Sequence, residues 1–351
     1  MATIGAFADF GGGQTFRQSA IIAVFMSSIH TFRMFGFFLI SGYFSALIIS
    51  KRGRSAWMKD RFNRIAIPLV SSVLTLGILN YYLRAAVYVD ETSITNFPFV
   101  ILHLWFLIVL FAFVLSLYFV PVERIAGSQQ IKKAILLQGY PGIALIAGLA
   151  IWGLACSALD SVLPYGSGWD LISFYFYHLP AFTIGVFAFF EPVGSRIFTF
   201  GNRRHFLAVL VIVPIYICLD TWARPSLGIT DPKSFFEKLL SNSLDIPIGL
   251  IVSVTVFSLL NKLIQKRIAF IDFLVSGAMA IYIFHMSWVL VVTKALTYTG
   301  WPSEVQWIIG SLMVFALSVG SYLLVRGNKW LSMAFVGTGP PVKPEVRASL
   351  V

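Results

Sequence analysis

The sequence predicts an all-α polytopic membrane protein with about nine transmembrane helices, and three observations carry that expectation. Of its 351 residues 58% are hydrophobic and only 12% are charged, whereas soluble domains carry about 25% charged residues. With a mean hydropathy of +0.84, the chain lacks the polar groups to clothe a soluble surface. Apolar runs long enough to cross about 30 Å of hydrocarbon recur from end to end, and they are continuous, without the period-two alternation of a transmembrane barrel. The same composition excludes intrinsic disorder. Two cysteines, Cys156 and Cys218, are too few for a disulfide framework or a cysteine zinc site.

Residues 1–27 are expected as an outward N-terminal segment. They lack the charged and then apolar regions of a signal peptide. The predicted spans follow at roughly 28–50, 65–89, 97–120, 135–159, 171–190, 206–222, 239–261, 272–294 and 306–326. With no internal repeat or soluble domain between them, residues 28–330 form a single transmembrane domain. Residues 331–351 are a Pro-containing tail.

Orientation comes from Lys and Arg, which are retained in cytoplasmic loops. One set of alternate loops holds Lys51, Arg52, Arg54, Lys59, Arg61 and Arg64, then Arg124, Lys132 and Lys133, then Arg196, Arg203 and Arg204, then Lys262, Lys266 and Arg267. The tail adds Arg326, Lys329, Lys343 and Arg347. The opposite set holds only Arg17, Arg224, Lys233, Lys238 and Lys294. The formal net charge of +11 is therefore a topological signal and not a nucleic-acid patch, and it puts the C-terminus in the cytoplasm. Nine spans would then leave the N-terminus outside; a helix preceding the first span would resolve that oddity.

Ionisable groups inside hydrocarbon are costly and mark candidate functional positions. His30 and Arg33 open the first span from the outside. His103 lies ~9 Å into the third at 1.5 Å per residue, and His178 is at similar depth in the fifth. Asp245 enters the seventh from outside, and His285 is near the middle of the eighth. His30, Arg33, Phe37, Ser41 and Ser45 fall along one helical face that reads as a cavity lining, with Phe32, Phe35 and Phe38 on the rest of the circumference. An imidazole can take a proton from a hydroxyl and return it to a leaving group, and Arg33 can stabilise an oxyanion. Metal binding is a weaker reading, because no His pair has the i, i+4 spacing of a helical metal site. The plainest alternative is that each His only bonds a neighbouring helix. Arg84 is expected to snorkel outward, and Cys156 and Cys218 to be buried apolar groups rather than a disulfide.

Five strings of residues then resemble a known family, in its order. The run His30-Thr-Phe-Arg33-Met-Phe-Gly-Phe-Phe-Leu-Ile-Ser41-Gly42-Tyr43-Phe44 resembles the second helix of the acyltransferase family 3 integral-membrane enzymes, most closely in their glucan-succinylating branch. Arg61-Phe-Asn-Arg64-Ile-Ala-Ile-Pro68 is similar to the family's Arg-x-x-Arg motif, and His103-Leu-Trp105-Phe106 to its His-x-Trp-Phe motif. Leu179-Pro180 with Gly185 resembles its fifth-span pattern, and Ala280-Ile-Tyr282-Ile-Phe-His285 its late His-bearing helix.

The resemblance implies a bacterial inner-membrane O-acyltransferase. It would move an acyl group such as succinyl from cytoplasmic acyl-CoA to a carbohydrate hydroxyl of a periplasmic glucan. No bound cofactor or metal is implied; acyl-CoA is the donor substrate, and the other partners are the carbohydrate acceptor and the lipid bilayer. On this reading His30, Arg33, His103 and His285 line the transfer site, while Arg61 and Arg64 hold donor phosphates by charge-assisted bonds. Two features depart from the family. Its first helix carries an Arg followed eleven residues later by a His, whereas here Arg17 is followed at that spacing by Ser28. A family core of about ten helices would thus have its first one missing. After His285 stand Met286, Ser287 and Trp288, where the family commonly has a Pro. The rival reading is a transporter of an anionic solute or acyl carrier along the polar face of the first span. The sequence shows none of the paired broken segments expected of one.

Overall fold

In the computed structural model the described residues are 20–87, 104–121, 141–163, 170–190, 211, 214–215 and 235–338. Among them the regular structure is helical throughout. The helices are α1 (Ala20–Arg52), α2 (Arg54–Arg61), α3 (Ile67–Ser72), α4 (Ile78–Val87), α5 (Trp105–Phe119), α6 (Pro141–Val162), α7 (Asp170–Phe190), α8 (Phe235–Leu263), α9 (Ala269–Thr297), α10 (Ser303–Arg326) and α11 (Lys329–Val336). Two π-helical turns, Phe62–Ala66 and Val73–Gly77, join α2 to α3 and α3 to α4.

Within the described residues six helical stretches are long and apolar enough to cross a membrane: Phe32–Arg52, Arg54–Leu83, Asp170–Phe190, Ser243–Leu263, Ala269–Thr297 and Ser303–Arg326. Trp105–Phe119 and Ile146–Val162 are shorter apolar helices. Eight of the expected spans thus coincide with helices, and most of the sixth, 206–222, lies outside the described residues. The all-α polytopic fold stands.

Two segments differ from their sequence expectation. The basic stretch 51–64 reads as a loop, yet it is helical except at Gly53, whose φ of 81° ends α1 in the left-handed region. Residues 54–61 contain no Gly or Pro and several good helix formers. Fully buried Trp57 anchors them. The expected tail boundary at 330/331 falls inside α11, which has strong local signals at both ends. Asn328 Oδ1 accepts from the backbone N–H groups of Trp330 and Leu331 at 2.9 and 3.2 Å, an N-cap, and Gly337 (φ 72°) closes the C-terminus with its N–H on Ser332 O at 3.0 Å, as αL glycines do.

The chain divides into two compact units. In the first (Met1–Ile22, Lys59–Phe111 and Arg267–Val351) α9 pairs with α10 and also packs on α4. Gly277 of α9 lies under the Tyr322 ring, where a Cβ would come within 2.6 Å of its carbons, and the Trp288 indole N–H donates to Ser321 Oγ at 2.9 Å. Helix α11 packs on α3 and α9.

In the second unit (Ala23–Met58 and Ala112–Lys266) α8 pairs with α6, and α7 packs on α6. Helix α1 crosses α7 with backbones in contact: a Cβ at Gly42 would overlap the Phe182 carbonyl oxygen, and one at Gly185 the Leu39 carbonyl oxygen. Only small residues permit such an approach between apolar helices. Ser253 of α8 donates to Phe32 O of α1 at 3.0 Å. Arg54 Nη1 reaches Leu117 O and Tyr118 O at 3.0 and 2.8 Å, which places a cation at the negative end of α5. Pro180 sits inside α7 and supplies no N–H for the carbonyl four residues earlier. That carbonyl, Phe176 O, accepts instead from the Trp152 indole N–H of α6 at 2.9 Å, as apolar surroundings require.

Candidate active site

Most residues singled out by the sequence fall into two groups, one in each unit. In the first unit His285 is buried in α9, and its Nδ1 meets the backbone oxygen of Tyr282 one turn earlier. A carbonyl oxygen only accepts, so Nδ1 carries the proton in this contact, and the proton-accepting nitrogen of a neutral ring would be Nε2. Nε2 is the nitrogen a general base uses. The Tyr282 ring lies against His285 with centroids 5.2 Å apart. It also meets Phe106 of α5, edge to face at 5.2 Å. Two motifs far apart in sequence, His103-Leu-Trp105-Phe106 and Ala280–His285, therefore meet through an aromatic pair. His103 itself lies outside the described residues.

Arg61 ends α2, and the first π turn begins at the next residue. Its Nε is buried and finds no acceptor among the described residues. Arg64, inside the π turn, is more exposed, and its Nε donates to Asp60 Oδ1 at 2.9 Å. The two arginines therefore differ: Arg64 is partly neutralised, whereas Arg61 retains an unused buried donor suited to an anion. Single π turns inside α-helices are rare and frequent at functional sites.

In the second unit Arg33 lies on α1, half-buried. His30 is in the same helix, one turn earlier, within the described backbone. His178 of α7 is buried against the rings of Phe35 (5.2 Å), Phe38 (5.0 Å) and Tyr177 (5.0 Å). Its Nδ1 donates to Phe174 O at 2.9 Å, which ties the ring to its own helix one turn back. Tyr177 donates to Asp245 Oδ2 of α8 at 3.3 Å, which gives this intramembrane carboxylate a donor from a neighbouring helix. The face aligned by spacing along α1 does not keep one environment. Phe37 is 42% exposed and Ser45 is buried, while Phe35 and Phe38 are the α1 rings that pack on other helices.

Sequence reasoning missed three features of these groups. Asn80 of α4 and Ser287 of α9 are both buried, and Ser287 Oγ donates to Asn80 Oδ1 at 2.7 Å. Tyr177, partner of Asp245, carried no mark beyond being aromatic. The third is the contact of Gly337 with the first π turn. Asn80 had a usable signal, a carboxamide in the apolar run Ile78-Leu-Asn-Tyr81; the other two had none.

Buried imidazoles and a half-buried arginine set into apolar helices define a polytopic membrane protein with polar groups in its interior. The chain belongs to acyltransferase family 3, whose acyltransferase domain matches residues 3–325. It is similar to the glucans biosynthesis protein C of Salmonella schwarzengrund (strain CVM19633), of Salmonella paratyphi A and of Salmonella agona (strain SL483). Each is 25% identical over 348 residues, which cover 94% of this chain and 88% of the relative. No solved structure matches the chain.

Proposed function

We propose that this membrane acyltransferase-family protein moves an acyl group such as succinyl from cytoplasmic acyl-CoA to a hydroxyl of a periplasmic glucan or another envelope carbohydrate. The observation that carries the reading is the pairing of Phe106 with Tyr282 beside His285, which joins two of the family's motifs around an imidazole whose Nδ1 is tied to a backbone carbonyl. In the reaction the acceptor oxygen attacks the thioester carbonyl and passes its proton to a histidine. A C–O bond forms, the C–S bond breaks, and CoA leaves as the thiol after taking that proton back. His30, His103 and His285 are the candidate bases. Arg33 supplies charge to the oxyanion, and Arg61 and Arg64 hold donor phosphates, for which the unused Nε of Arg61 is the supporting observation. The relatives' name, glucans biosynthesis protein C, supports a glucan acceptor. The Lys/Arg bias of the loops supports a bacterial inner-membrane location with a cytoplasmic C-terminus.

The test is transfer itself. Purified chain incubated with radiolabelled succinyl-CoA and envelope glucan should yield labelled glucan and free CoA, and disruption of the gene should lower the acyl content of envelope glucans. Uptake of labelled solute into vesicles without covalent transfer would support a transporter instead.

A further inference from the structure

Helix α11 and Gly337 lie beyond the stretch matched by the family, which ends at residue 325, yet they touch the segments that carry two of its motifs. Gly337 rests on the first π turn: a Cβ there would overlap the Asn63 carbonyl oxygen and stand 2.5 Å from Arg64 Cα. Its φ of 72° independently favours glycine. The conformation is tied down from both sides, since Gly337 N–H donates to Ser332 O at 3.0 Å and Ser332 Oγ donates to Thr338 O at 2.7 Å. Two residues earlier, within α11, Phe335 packs its ring on Phe284 of α9 at 5.1 Å, and Phe284 immediately precedes His285. The opposite side of α11 is apolar and outward: Trp330, Leu331 and Met333 are exposed, the pattern of a helix lying at a membrane interface.

From these contacts we infer that α11 is a positioning clamp for the acyl donor site: Gly337 fixes the π turn that carries Arg64 and directly follows Arg61, and Phe335 ties that turn to the His285 helix. A π turn has few ways to hold its geometry from within, because its i→i+5 bonds are less favourable than those of the α-helices on either side. A backbone seated directly on Asn63 and Arg64 supplies the missing constraint. Gly337 and Phe335 contact no substrate on this view; they act through the two arginines. The inference rests on the assignment of Arg61 and Arg64 to the donor phosphates.

The experiment uses the full chain in detergent micelles and coenzyme A as the probe, with affinity measured by calorimetry over a range of salt concentrations. Gly337→Ala and Phe335→Ala are expected to raise the Kd for coenzyme A by roughly tenfold and to flatten its salt dependence, because arginine–phosphate attraction is what salt screens. Phe335→Leu should stay near the parent value. The salt slope is the readout that a general loss of packing does not move. Parent-like affinity and salt slope in folded Gly337→Ala and Phe335→Ala, with Arg61→Gln weakened, overturns the clamp while leaving the donor site standing. An unchanged Arg61→Gln overturns the donor assignment and the clamp with it. If Gly337→Ala does not fold, the Phe335→Ala and Phe335→Leu pair decides the matter.

Discussion

Trp152 donates its indole N–H to the carbonyl oxygen of Phe176, 2.9 Å away, at the turn of α7 where Pro180 offers no backbone donor. A side chain of one helix thus completes the hydrogen bonding of another. Replacing Trp152 by Phe should cost about 1 kcal/mol of stability. In a Pro180→Ala background, where the missing N–H is restored, the same replacement should cost nearly nothing. Thermal or denaturant unfolding of the four proteins gives the coupling, and additive effects would show that the indole and the proline are unrelated.

His285 lies against the Tyr282 ring, which Phe106 meets edge to face. His285→Ala should lower transfer by about 10²–10⁴-fold, the usual contribution of a general base. Phe106→Ala removes the ring behind Tyr282 and should reduce kcat while folding is retained, whereas Phe106→Tyr should keep most of the activity. Initial rates with labelled acyl-CoA check this. Full activity in His285→Ala would move the base to another histidine.

The α1–α7 crossing leaves no room at Gly42 or Gly185. Alanine at either position pushes the backbones apart and should cost about 1–3 kcal/mol, seen as a lower unfolding temperature and a poorer yield of folded protein. Both substitutions act on the same contact, so the double variant should fall short of the sum of the singles. Alanine at Gly148, whose Cβ would meet nothing within 4 Å, is the control and should be neutral or slightly stabilising.

Asn80 and Ser287 form a buried polar pair in which Asn80 Nδ2 has no partner among the described residues. Ser287→Ala leaves Asn80 Oδ1 without its donor and should destabilise by about 1–3 kcal/mol. Replacing both, as Asn80→Leu with Ser287→Ala, should recover much of that loss, since no polar atom is then stranded. Unfolding of the two variants distinguishes the outcomes; equal loss in both would assign the effect to packing alone.

Hydropathy and charge made the helical spans legible because each depends on local composition. Motif order made the family legible. Spacing along α1 was less informative: it placed His30, Arg33, Phe37, Ser41 and Ser45 on one face, but Ser45 is buried and Phe37 exposed. Helical periodicity states which residues are neighbours on one helix and says nothing of what another helix brings. Several motif residues prove to be packing devices as well. Gly42 and Gly185 allow two backbones to touch, and Pro180 creates the need that Trp152 fills. The Ser287–Asn80 bond spans 207 positions, and no single-sequence pattern links such a pair. The helical state of 54–61 was hidden because its charges resemble those of a loop.

The two π turns between Arg61 and Ile78 have a rotational consequence. Each takes up about one residue more than an α-helical turn, and each residue is about 100° of rotation. Past both turns, side chains are swung by about 200° from where uninterrupted α-helix would put them. Asn80 reaches Ser287 only because of that half-revolution. One residue deleted from each turn would let plain α-helix carry Asn80 to the same side, whereas straightening both turns at full length would send it to the opposite one.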